Sequence, residues 1–229
     1  MLEIKNISIY GLERSLIASG NPMTVGEIQT SGYTDNYLAS STIARGKKLG
    51  SAKPSSGHDN FLSGIIVQFD VKYPLYWSPE FQRYHFIQII SSQSTMHRLT
   101  TAASSSDFNE MFNKYVDSQI KDIIKKYSDE YNYLQEFKLS DKDHLYHHPY
   151  NEETFSESQF EEEVYKAFMR LRSNLPSGYE MWMTVSTNYL QLKTIYSQRK
   201  GHKLKEDWGA FIKMCDELPM FKELTIKEN

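Results

Sequence analysis

The sequence is poor in cysteine and in long apolar runs. Cys215 is the single cysteine in 229 residues, which excludes an internal disulfide framework and fits a reducing compartment. No apolar run approaches the roughly 20 residues that cross a bilayer. Glu3 and Lys5 fall inside what would have to be the apolar stretch of a signal peptide, which argues against export. We therefore expect a cytoplasmic protein that does not act at a membrane.

A strong excess of charge of either sign is also missing. The formal net charge is −3, which gives no electrostatic case for a nucleic-acid partner. The sequence contains no GxSxG, P-loop or GxGxxG motif, so serine hydrolases, P-loop enzymes and Rossmann enzymes have no motif support. Cys215 stands among Ile212, Met214 and Leu218, and we expect a packed thiol rather than a nucleophile.

A group of histidines is the most obvious candidate for a metal site. His144, His147 and His148 lie close to Asp141 and Asp143. The HHP stretch (147–149) lies in a polar loop, so it lacks the helical i, i+4 pairing of zinc proteases, and no cysteines accompany it. We therefore predict that the protein holds no metal.

The chain is rich in aromatic residues and alternates between strand and helix patterns. Aromatics make up 14% of the residues, which suits flat ligands and an aromatic core equally well. Apolar and polar residues alternate over 64–74 as in a half-buried strand, which Pro74 ends. We predict strands at 2–10, 64–74 and 179–187, and helices from Asp107 to about Tyr127, over 156–173, over 187–203 and from Glu206 to just before Leu218.

The remaining stretches are predicted to be connections. Residues 20–60 are rich in Gly, Ser, Thr and Asn and are predicted to form a long, loop-rich segment. Residues 75–90 fit a helix or a strand, and 138–158 form a polar connection. The chain has no internal repeat, and we expect one mixed α/β domain over residues 1–229.

The predicted helix over 187–203 carries a polar stripe of an unusual kind. Uncharged hydrogen-bonding side chains recur at steps of three or four, so they share one face of the helix. The members of this polar stripe are Asn188, Gln191, Thr194, Gln198 and His202, with Arg199 beside them. A solvated face normally carries Glu and Lys, and a buried face carries Leu and Val. The stripe therefore indicates a surface that hydrogen-bonds to a ligand or to another chain.

The spacing of Asn188 and Arg199 fits a nucleotide. They are eleven residues apart, close to three helical turns, so they project from the same side at a separation of roughly 16 Å. Arginine binds phosphate in a bidentate way, and Asn or Gln can pair with the edge of a heterocycle. A polar network that orders a subunit interface explains the same spacing equally well.

Two segments resemble flavin-dependent thymidylate synthases. GHDNFLSGIIVQFDVKYP is similar to the family's GHETPFEH-strand-VKxP segment, with Asp59 and Asn60 in place of Glu and Thr. RLRSNLPSGYEMWMTVSTNYLQLKTIYSQR is similar to the C-terminal signature, in which an Arg precedes Leu-Pro and a helix opens with Asn and carries an Arg three turns later. The matched residues of the second segment are Arg172, Pro176, Asn188 and Arg199. The resemblance covers residues 57–98 and 168–218, under half of the chain.

The family's central signature, RHRxxS followed by SxRY, is altered. One register places Arg83-Tyr84-His85 on its Arg-His-Arg, and SSQSTMHR (91–98) then resembles the second half with a short insertion. The other register places His97-Arg98 on its His-Arg, followed by Ser104–Ser106. In both registers one arginine is missing. Leu190 also stands where the family has an arginine, two residues after the helix-opening Asn.

The resemblance implies a fold and a reaction. The fold is α/β (α+β), with a twisted, mainly antiparallel sheet flanked by helices, and it assembles as a homotetramer with sites between subunits. FAD is the implied cofactor, with NADPH as reductant and methylenetetrahydrofolate as one-carbon donor, and dUMP is methylated to dTMP. This reaction needs no cysteine nucleophile, which agrees with the isolated Cys215.

The resemblance also implies the site residues. The substrate-binding residues, which would hold the pyrimidine and its phosphate, are Arg172, Arg199, Ser92, Ser94 and Arg98. The cofactor-binding residues are His58, Asn60, Arg83, His85, His97, Asn188 and Thr194. No catalytic side chain is assigned.

Two alternatives remain open. One is a fold relative that binds a pyrimidine nucleotide with a lost or changed chemistry, such as another one-carbon transfer or regulatory binding. The altered Arg-His-Arg favours this alternative. The other is an unrelated α/β interaction protein, against which the intact Arg172, Asn188 and Arg199 argue.

Overall fold

The structure is a computed structural model that describes residues 1–28, 33–34, 37–53, 56–102, 105–140, 146–147 and 154–227. Its strands are β1 (Glu3–Tyr10), β2 (Tyr33–Thr34), β3 (Tyr37–Leu38), β4 (Ile66–Pro74), β5 (Gln88–Ser92), β6 (Tyr146–His147), β7 (Thr154–Phe155) and β8 (Glu180–Asn188). Its helices are α1 (Leu12–Ala18), α2 (Ser40–Gly50), α3 (Ser78–Phe81), α4 (Thr95–Ala102), α5 (Ser118–Ser140), α6 (Glu157–Ser173), α7 (Tyr189–Arg199), α8 (Lys205–Glu217) and α9 (Phe221–Thr225). Short 3-10 turns lie at Asn21–Met23, Asn60–Gly64 and Phe108–Met111.

A four-stranded sheet organises these elements. Its strand order is β1-β4-β8-β5, with β1 antiparallel to β4 and β5 antiparallel to β8. The backbone N–H of Tyr189 donates to Ile65 O at 3.0 Å, so the end of β8 lies beside the start of β4, and this pair is antiparallel as well. Helices flank the sheet. The predicted α/β class with a mainly antiparallel sheet is confirmed.

Strand β4 shows how the sheet buries one face. Val67, Phe69 and Val71 are buried and alternate with half-buried residues, as the sequence predicts. The rings of Phe69 and Phe81 both meet Phe211 of α8 edge-on, with centroids 6.1 and 5.7 Å apart. Burying a large apolar side chain contributes about 1.5–3 kcal/mol. This aromatic layer therefore holds α8 against the sheet.

The chain divides into two compact units. The first unit comprises Met1–Tyr73, Pro79–Ser92 and Trp182–Asn229, and the second comprises Pro74–Ser78 and Gln93–Met181. The four-stranded sheet belongs to the first unit apart from the ends of β4 and β8. The single domain expected over the whole chain stays a prediction.

The second unit is built around α5 and α6. Leu134, Phe160 and Ala167 form a buried apolar cluster between these helices. Helix α6 starts with a capping box, in which the Ser156 N–H donates to Gln159 Oε1 at 2.9 Å. The helix predicted over 156–173 is confirmed.

The helix predicted from Asp107 to about Tyr127 is right from Ser118 onwards and wrong before it. The chain makes a 3-10 turn there, and α5 begins later, at Ser118, and ends later, at Ser140. Between the turn and α5, Phe112 pairs with Tyr179 in a β-bridge, and the two rings pack edge-on at 5.5 Å. This pairing keeps the chain extended, so a tertiary contact overrides the helical spacing of the apolar residues.

The segment over 20–60 is more regular than its composition predicts. It contains α2, whose glycines suggest a loop when the sequence is considered alone. In the structure Gly46 and Gly50 are buried, and a Cβ would collide with Leu16 at the first position and with the Leu224 carbonyl at the second. The glycines therefore permit close packing of α2 on α1 and α9, and the loop prediction is wrong here.

The helix predicted over 187–203 is real but shorter. Its N-cap is Asn188, which ends β8 and whose Oδ1 accepts a hydrogen bond from the Gln191 N–H at 2.9 Å. At the other end Gly201 adopts φ +84, and His202 lies beyond the helix. Two members of the polar stripe, Asn188 and His202, are therefore not part of helix α7.

Candidate functional site

A cavity of about 1520 Å³ opens in the first unit. Helix α7 lines it from Leu190 to Arg199, and parts of 48–60, 83–86 and 225–227 complete the wall. Pockets that bind drug-sized molecules have volumes of roughly 300–1,000 Å³. The cavity therefore has room for a large ligand.

The wall of this cavity is strongly basic. Its charged residues are Lys48, Lys53, Arg83, Lys193, Arg199, Lys200 and Lys227, against the carboxylate of Asp59. The whole chain has a net charge of −3, so positive charge is concentrated here. A local excess of this kind attracts anions and raises their local concentration. The cavity is therefore suited to a ligand that carries phosphate or carboxylate groups.

Neutral hydrogen-bonding side chains of α7 lie on the same wall. Gln191, Thr194 and Gln198, the helical part of the polar stripe, all line the cavity. The Gln191 Oε1 accepts from the Phe86 N–H at 3.2 Å, and the Gln198 Oε1 accepts from the Tyr84 hydroxyl at 3.1 Å. The protein thus uses the acceptor of each amide. The amide N–H groups are left as donors on the wall.

The loop over 83–86 is fixed to α7 and β8. The Thr187 hydroxyl donates to Phe86 O at 2.9 Å, and the Phe86 N–H donates to Gln191. These two bonds fix both the backbone N–H and the backbone carbonyl of Phe86. Arg83 and His85 remain exposed on the cavity wall. A rigid loop therefore presents two basic side chains to a ligand.

Lys193 ties α7 to the end of α2. Its ammonium donates to Gly50 O at 2.8 Å and to Ala52 O at 2.9 Å, and it pairs with Asp59 Oδ2 at 2.6 Å. The side chains of Lys193 and Asp59 are 10% and 4% exposed, so solvent screens this pair little. Lys193 and Asp59 compensate each other. The positive field of the cavity therefore comes from the other basic residues.

Arg199 is embedded in a cluster of acidic and aromatic side chains. Its Nη1 donates to Glu80 Oε2 at 2.9 Å, and its Nε donates to the Tyr84 hydroxyl at 2.8 Å. The guanidinium lies 4.4 Å from the centroid of the Trp208 ring, a cation–π distance. The side chain is 14% exposed. Arg199 is therefore a fixed part of the wall.

The structure brings part of the predicted site together at this cavity. The predicted residues that line it are Asn60, Arg83, His85, Thr194 and Arg199. His58 is exposed and lies between two lining residues along the chain. Ser92 ends β5 and Asn188 ends β8; both belong to the first unit but neither lines the cavity.

The other predicted site residues belong to the second unit. They are Ser94, His97, Arg98 and Arg172. Arg98 Nη1 donates to Glu180 O at 2.7 Å, and its guanidinium lies 5.5 Å from the Tyr179 ring. Arg172 is exposed near the end of α6. None of these residues lines the first-unit cavity, and their contacts with a ligand stay predictions.

Four exposed lysines on the wall are not among the site residues predicted from the sequence. They are Lys48, Lys53, Lys200 and Lys227, and they come from the end of α2, the residue after α7 and the chain after α9. A single sequence does not bring them together, because neither α2 nor α9 is predicted from it. Lys200 offers a partial signal, since it directly follows Arg199 and the polar stripe.

Further expectations concern the thiol, a metal and a membrane span. Cys215 is fully buried, and burial raises the pKa of its thiol, so it stays protonated and does not act as a nucleophile. Among the residues that the structure describes, no group of three His, Cys, Asp or Glu is placed to hold a metal. The side chains of His144, His147 and His148 lie outside the described residues. No described helix is long and apolar enough to cross a bilayer.

Comparison with known proteins relates the fold to one group of solved structures. No protein-family model and no curated protein matches the chain. A crystal structure of the flavin-dependent thymidylate synthase ThyX from Helicobacter pylori, complexed with FAD and dUMP, is similar over 99% of this chain and 99% of its own, with 14% identity and a TM-score of 0.61. A second structure of thymidylate synthase X from Helicobacter pylori with FAD and dUMP covers 98% of this chain and 97% of its own, with 14% identity and a TM-score of 0.62. The chain shares the fold of these enzymes.

Proposed function

We propose that this protein is a flavin-dependent enzyme that modifies a pyrimidine nucleotide, and that the cavity beside α7 is its flavin site. The observation that carries the proposal is the presence of neutral hydrogen-bond donors and uncompensated basic side chains on one wall. The segments over 57–98 and 168–218, which resemble flavin-dependent thymidylate synthases, contribute most of this wall. The shared fold supports the same assignment.

FAD fits the donor set of the wall. Its two phosphates need cations, and Lys53, Arg83 and Lys200 are exposed there. The isoalloxazine edge carries carbonyl oxygens and ring nitrogens, which accept hydrogen bonds from amides such as those of Gln191 and Gln198. When bound, FAD supplies two-electron transfer between the reductant and the one-carbon unit. The chain's own residues bind and orient it and exclude water from the ring.

The default reaction in this proposal is the reductive methylation of dUMP to dTMP. Methylenetetrahydrofolate is the one-carbon donor, and NADPH is the reductant. The residues proposed to bind the nucleotide are Arg172, Ser92, Ser94 and Arg98, whereas Arg199, which is already paired with Glu80, is proposed to hold the wall of the site in place. Some of these belong to the second unit. In the proposed homotetramer, residues of different subunits would build one site.

The cavity supports one of the two registers of the altered signature. Arg83 and His85 lie on the wall, whereas the guanidinium of Arg98 is engaged by Glu180 O. In the Arg83 register, the exposed Arg83 takes the place of the first arginine of the signature. We propose this register for the flavin site.

A second candidate function is nucleotide binding with a changed chemistry. Leu190 lines the cavity at the position where the family has an arginine. An apolar side chain cannot form the charge-assisted hydrogen bond of an arginine. The flavin or the nucleotide is therefore held differently here, and this difference favours an altered outcome over an identical one.

Product analysis tests the proposed reaction. The purified protein is incubated with FAD, NADPH, methylenetetrahydrofolate and dUMP, and the nucleotides are separated and weighed by mass spectrometry. We expect a product that is heavier than dUMP by the mass of one CH2 group, because a methyl group replaces a hydrogen, and no product when FAD or the folate is omitted. Oxidation of NADPH with unchanged dUMP would support the second candidate. An absence of flavin reduction would contradict the first candidate, and a wild type that binds no pyrimidine nucleotide would contradict both.

The edge strand β5 predicts where subunits meet. All five of its residues are exposed, and Phe86, just before it, and Ile90 within it are 64% and 54% exposed. An edge strand of this kind is a template for pairing with another chain. We expect light scattering to report about four chains for the wild type and a smaller species for Ile90→Lys. Met23→Lys, which changes an exposed apolar residue away from the sheet, should leave the mass unchanged, and a monomeric wild type would contradict the proposal.

A further inference from the structure

The guanidinium of Arg199 is bound by other residues of the protein. Nη1 and Nη2 face Glu80, at 2.9 Å from Oε2 and 3.5 Å from its backbone oxygen, and Nε donates to the Tyr84 hydroxyl at 2.8 Å. The guanidinium also lies 4.4 Å from the Trp208 ring and 5.6 Å from the Tyr84 ring. All three nitrogens are therefore in protein contacts. Glu80 therefore competes with a phosphate for Arg199 and lowers its net positive charge.

Glu80 is itself held in place. Trp208 Nε1 donates to Glu80 Oε2 at 3.0 Å, and His202 Nε2 lies 3.6 Å from the same oxygen. His202 Nδ1 accepts from the Leu204 N–H at 3.2 Å, so Nε2 carries the proton of the neutral ring and faces Glu80. Moving the carboxylate away removes this acceptor from the buried Trp208 indole, which costs free energy. A ligand therefore displaces Glu80 only at an energetic cost.

The other cations of the wall are not compensated in this way. Within the described part of the chain, the ion pairs of the wall are Lys193–Asp59 and Arg199–Glu80. The remaining basic residues, Lys48, Lys53, Arg83, Lys200 and Lys227, are exposed and form no ion pair with described residues. The uncompensated positive charge of the wall therefore comes from these five side chains rather than from Arg199.

We propose that Glu80 is a specificity-determining residue of the cavity: its carboxylate occupies Arg199 as an internal anion and directs the phosphates of a ligand to Arg83 and the exposed lysines. Arg199 is then a positioning residue. It holds the Tyr84 hydroxyl, and that hydroxyl in turn holds the side-chain amide of Gln198. The wall then has two kinds of cation: Arg199, which Glu80 compensates, and exposed basic side chains, which bind the phosphates. The identity of the ligand rests on the proposed function, and the division of charge can be tested without any flavin.

Binding of inorganic pyrophosphate to the 229-residue chain, measured by calorimetry and by tryptophan fluorescence, tests this division of charge. Glu80→Gln keeps an acceptor for Arg199 and removes the charge, so it should bind pyrophosphate roughly tenfold more tightly than the wild type. The gain should disappear in Glu80→Gln/Arg199→Met. Glu217→Gln removes the same charge at an exposed position outside the wall and should give no gain. Glu80→Asp retains the charge and should also give none.

The outcomes separate the proposal from its alternatives. No gain for Glu80→Gln, a gain equal to that of Glu217→Gln, or a gain that survives the loss of Arg199 would overturn it. A measurement on the wild type does not depend on how the variants fold: with ¹⁵N-labelled arginine, saturating pyrophosphate should shift the Nε resonance of Arg83 and leave that of Arg199 in place. A larger shift at Arg199 would overturn the proposal. FAD titrated in parallel keeps the two proposals apart, because a failure to bind FAD with the expected pyrophosphate results refutes the proposed function alone.

Discussion

Replacing Lys193 with methionine should lower the free energy of unfolding by about 3–5 kcal/mol, because it breaks a buried ion pair from one side. The ammonium is the partner of Asp59 at 2.6 Å and also of the Gly50 and Ala52 carbonyls. Methionine fills the space but donates nothing. Asp59, whose side chain is 4% exposed, is then left with a buried charge and no partner. The end of α2 loses its connection to α7 at the same time.

Urea unfolding followed by tryptophan fluorescence measures this loss. Lys213→Met is the matched control, since Lys213 is 78% exposed and lies 3.8 Å from Glu217; we expect a change of about 0–1 kcal/mol there. The double variant Asp59→Asn/Lys193→Met removes the unpaired charge of Asp59 and should recover part of the lost free energy of unfolding. If Lys193→Met lowers the free energy of unfolding no more than Lys213→Met does, the Lys193–Asp59 pair does not stabilise the cavity wall.

Reversing the charges of two exposed basic residues on the cavity wall should nearly abolish flavin binding. Arg83 and Lys200 are exposed and line the cavity. A hydrogen bond to a charged group contributes about 1.5–3 kcal/mol, so Arg83→Glu/Lys200→Glu should lose about 3–6 kcal/mol of FAD binding. At about 1.4 kcal/mol per tenfold change, the affinity falls by a factor of about 100 or more. The fold should be unaffected, because neither side chain forms an ion pair with a described residue.

The control for this experiment carries the same change in net charge. Lys125 and Lys126 are exposed on α5 in the second unit and do not line the cavity. Lys125→Glu/Lys126→Glu should bind FAD within about twofold of the wild type, since neither lysine lines the cavity and salt screens exposed charges. Circular dichroism confirms that both variants are folded. Equal FAD affinities for the two double variants would contradict the claim that the basic wall binds FAD.

The elements that follow local patterns are those that the sequence predicts. Strand β4 alternates between apolar and polar residues, and α6 has a capping residue, Ser156, and an apolar face. Their signals lie within a few residues of one another along the chain. Helix α2 has no such local signal. Gly46 and Gly50 disfavour a helix when the sequence is considered alone, although they allow close contact with other helices in the fold. The extended stretch around Phe112 depends on Tyr179, a residue far away in sequence.

The candidate site divides along the same line. The polar stripe on α7 can be seen in the sequence because Gln191, Thr194 and Gln198 obey the helical period. The internal anion, Glu80, could not be found from the sequence. It lies in a stretch that fits a helix or a strand equally well, and it contacts Arg199 only in the folded chain. The lysines of the wall are scattered over separate elements for the same reason. Local order is predictable from the sequence, and the charge balance of the cavity is not.

Titration of the purified wild-type protein with FAD tests the central claim most directly. The claim is that the cavity beside α7 is a flavin site. We predict a saturable change in the flavin absorbance spectrum and quenching of flavin fluorescence, with an affinity that falls as salt is added because the basic wall contributes. The same titration of Arg83→Glu/Lys200→Glu should show little binding. A wild-type protein that leaves the flavin spectrum and fluorescence unchanged at every concentration would contradict the account.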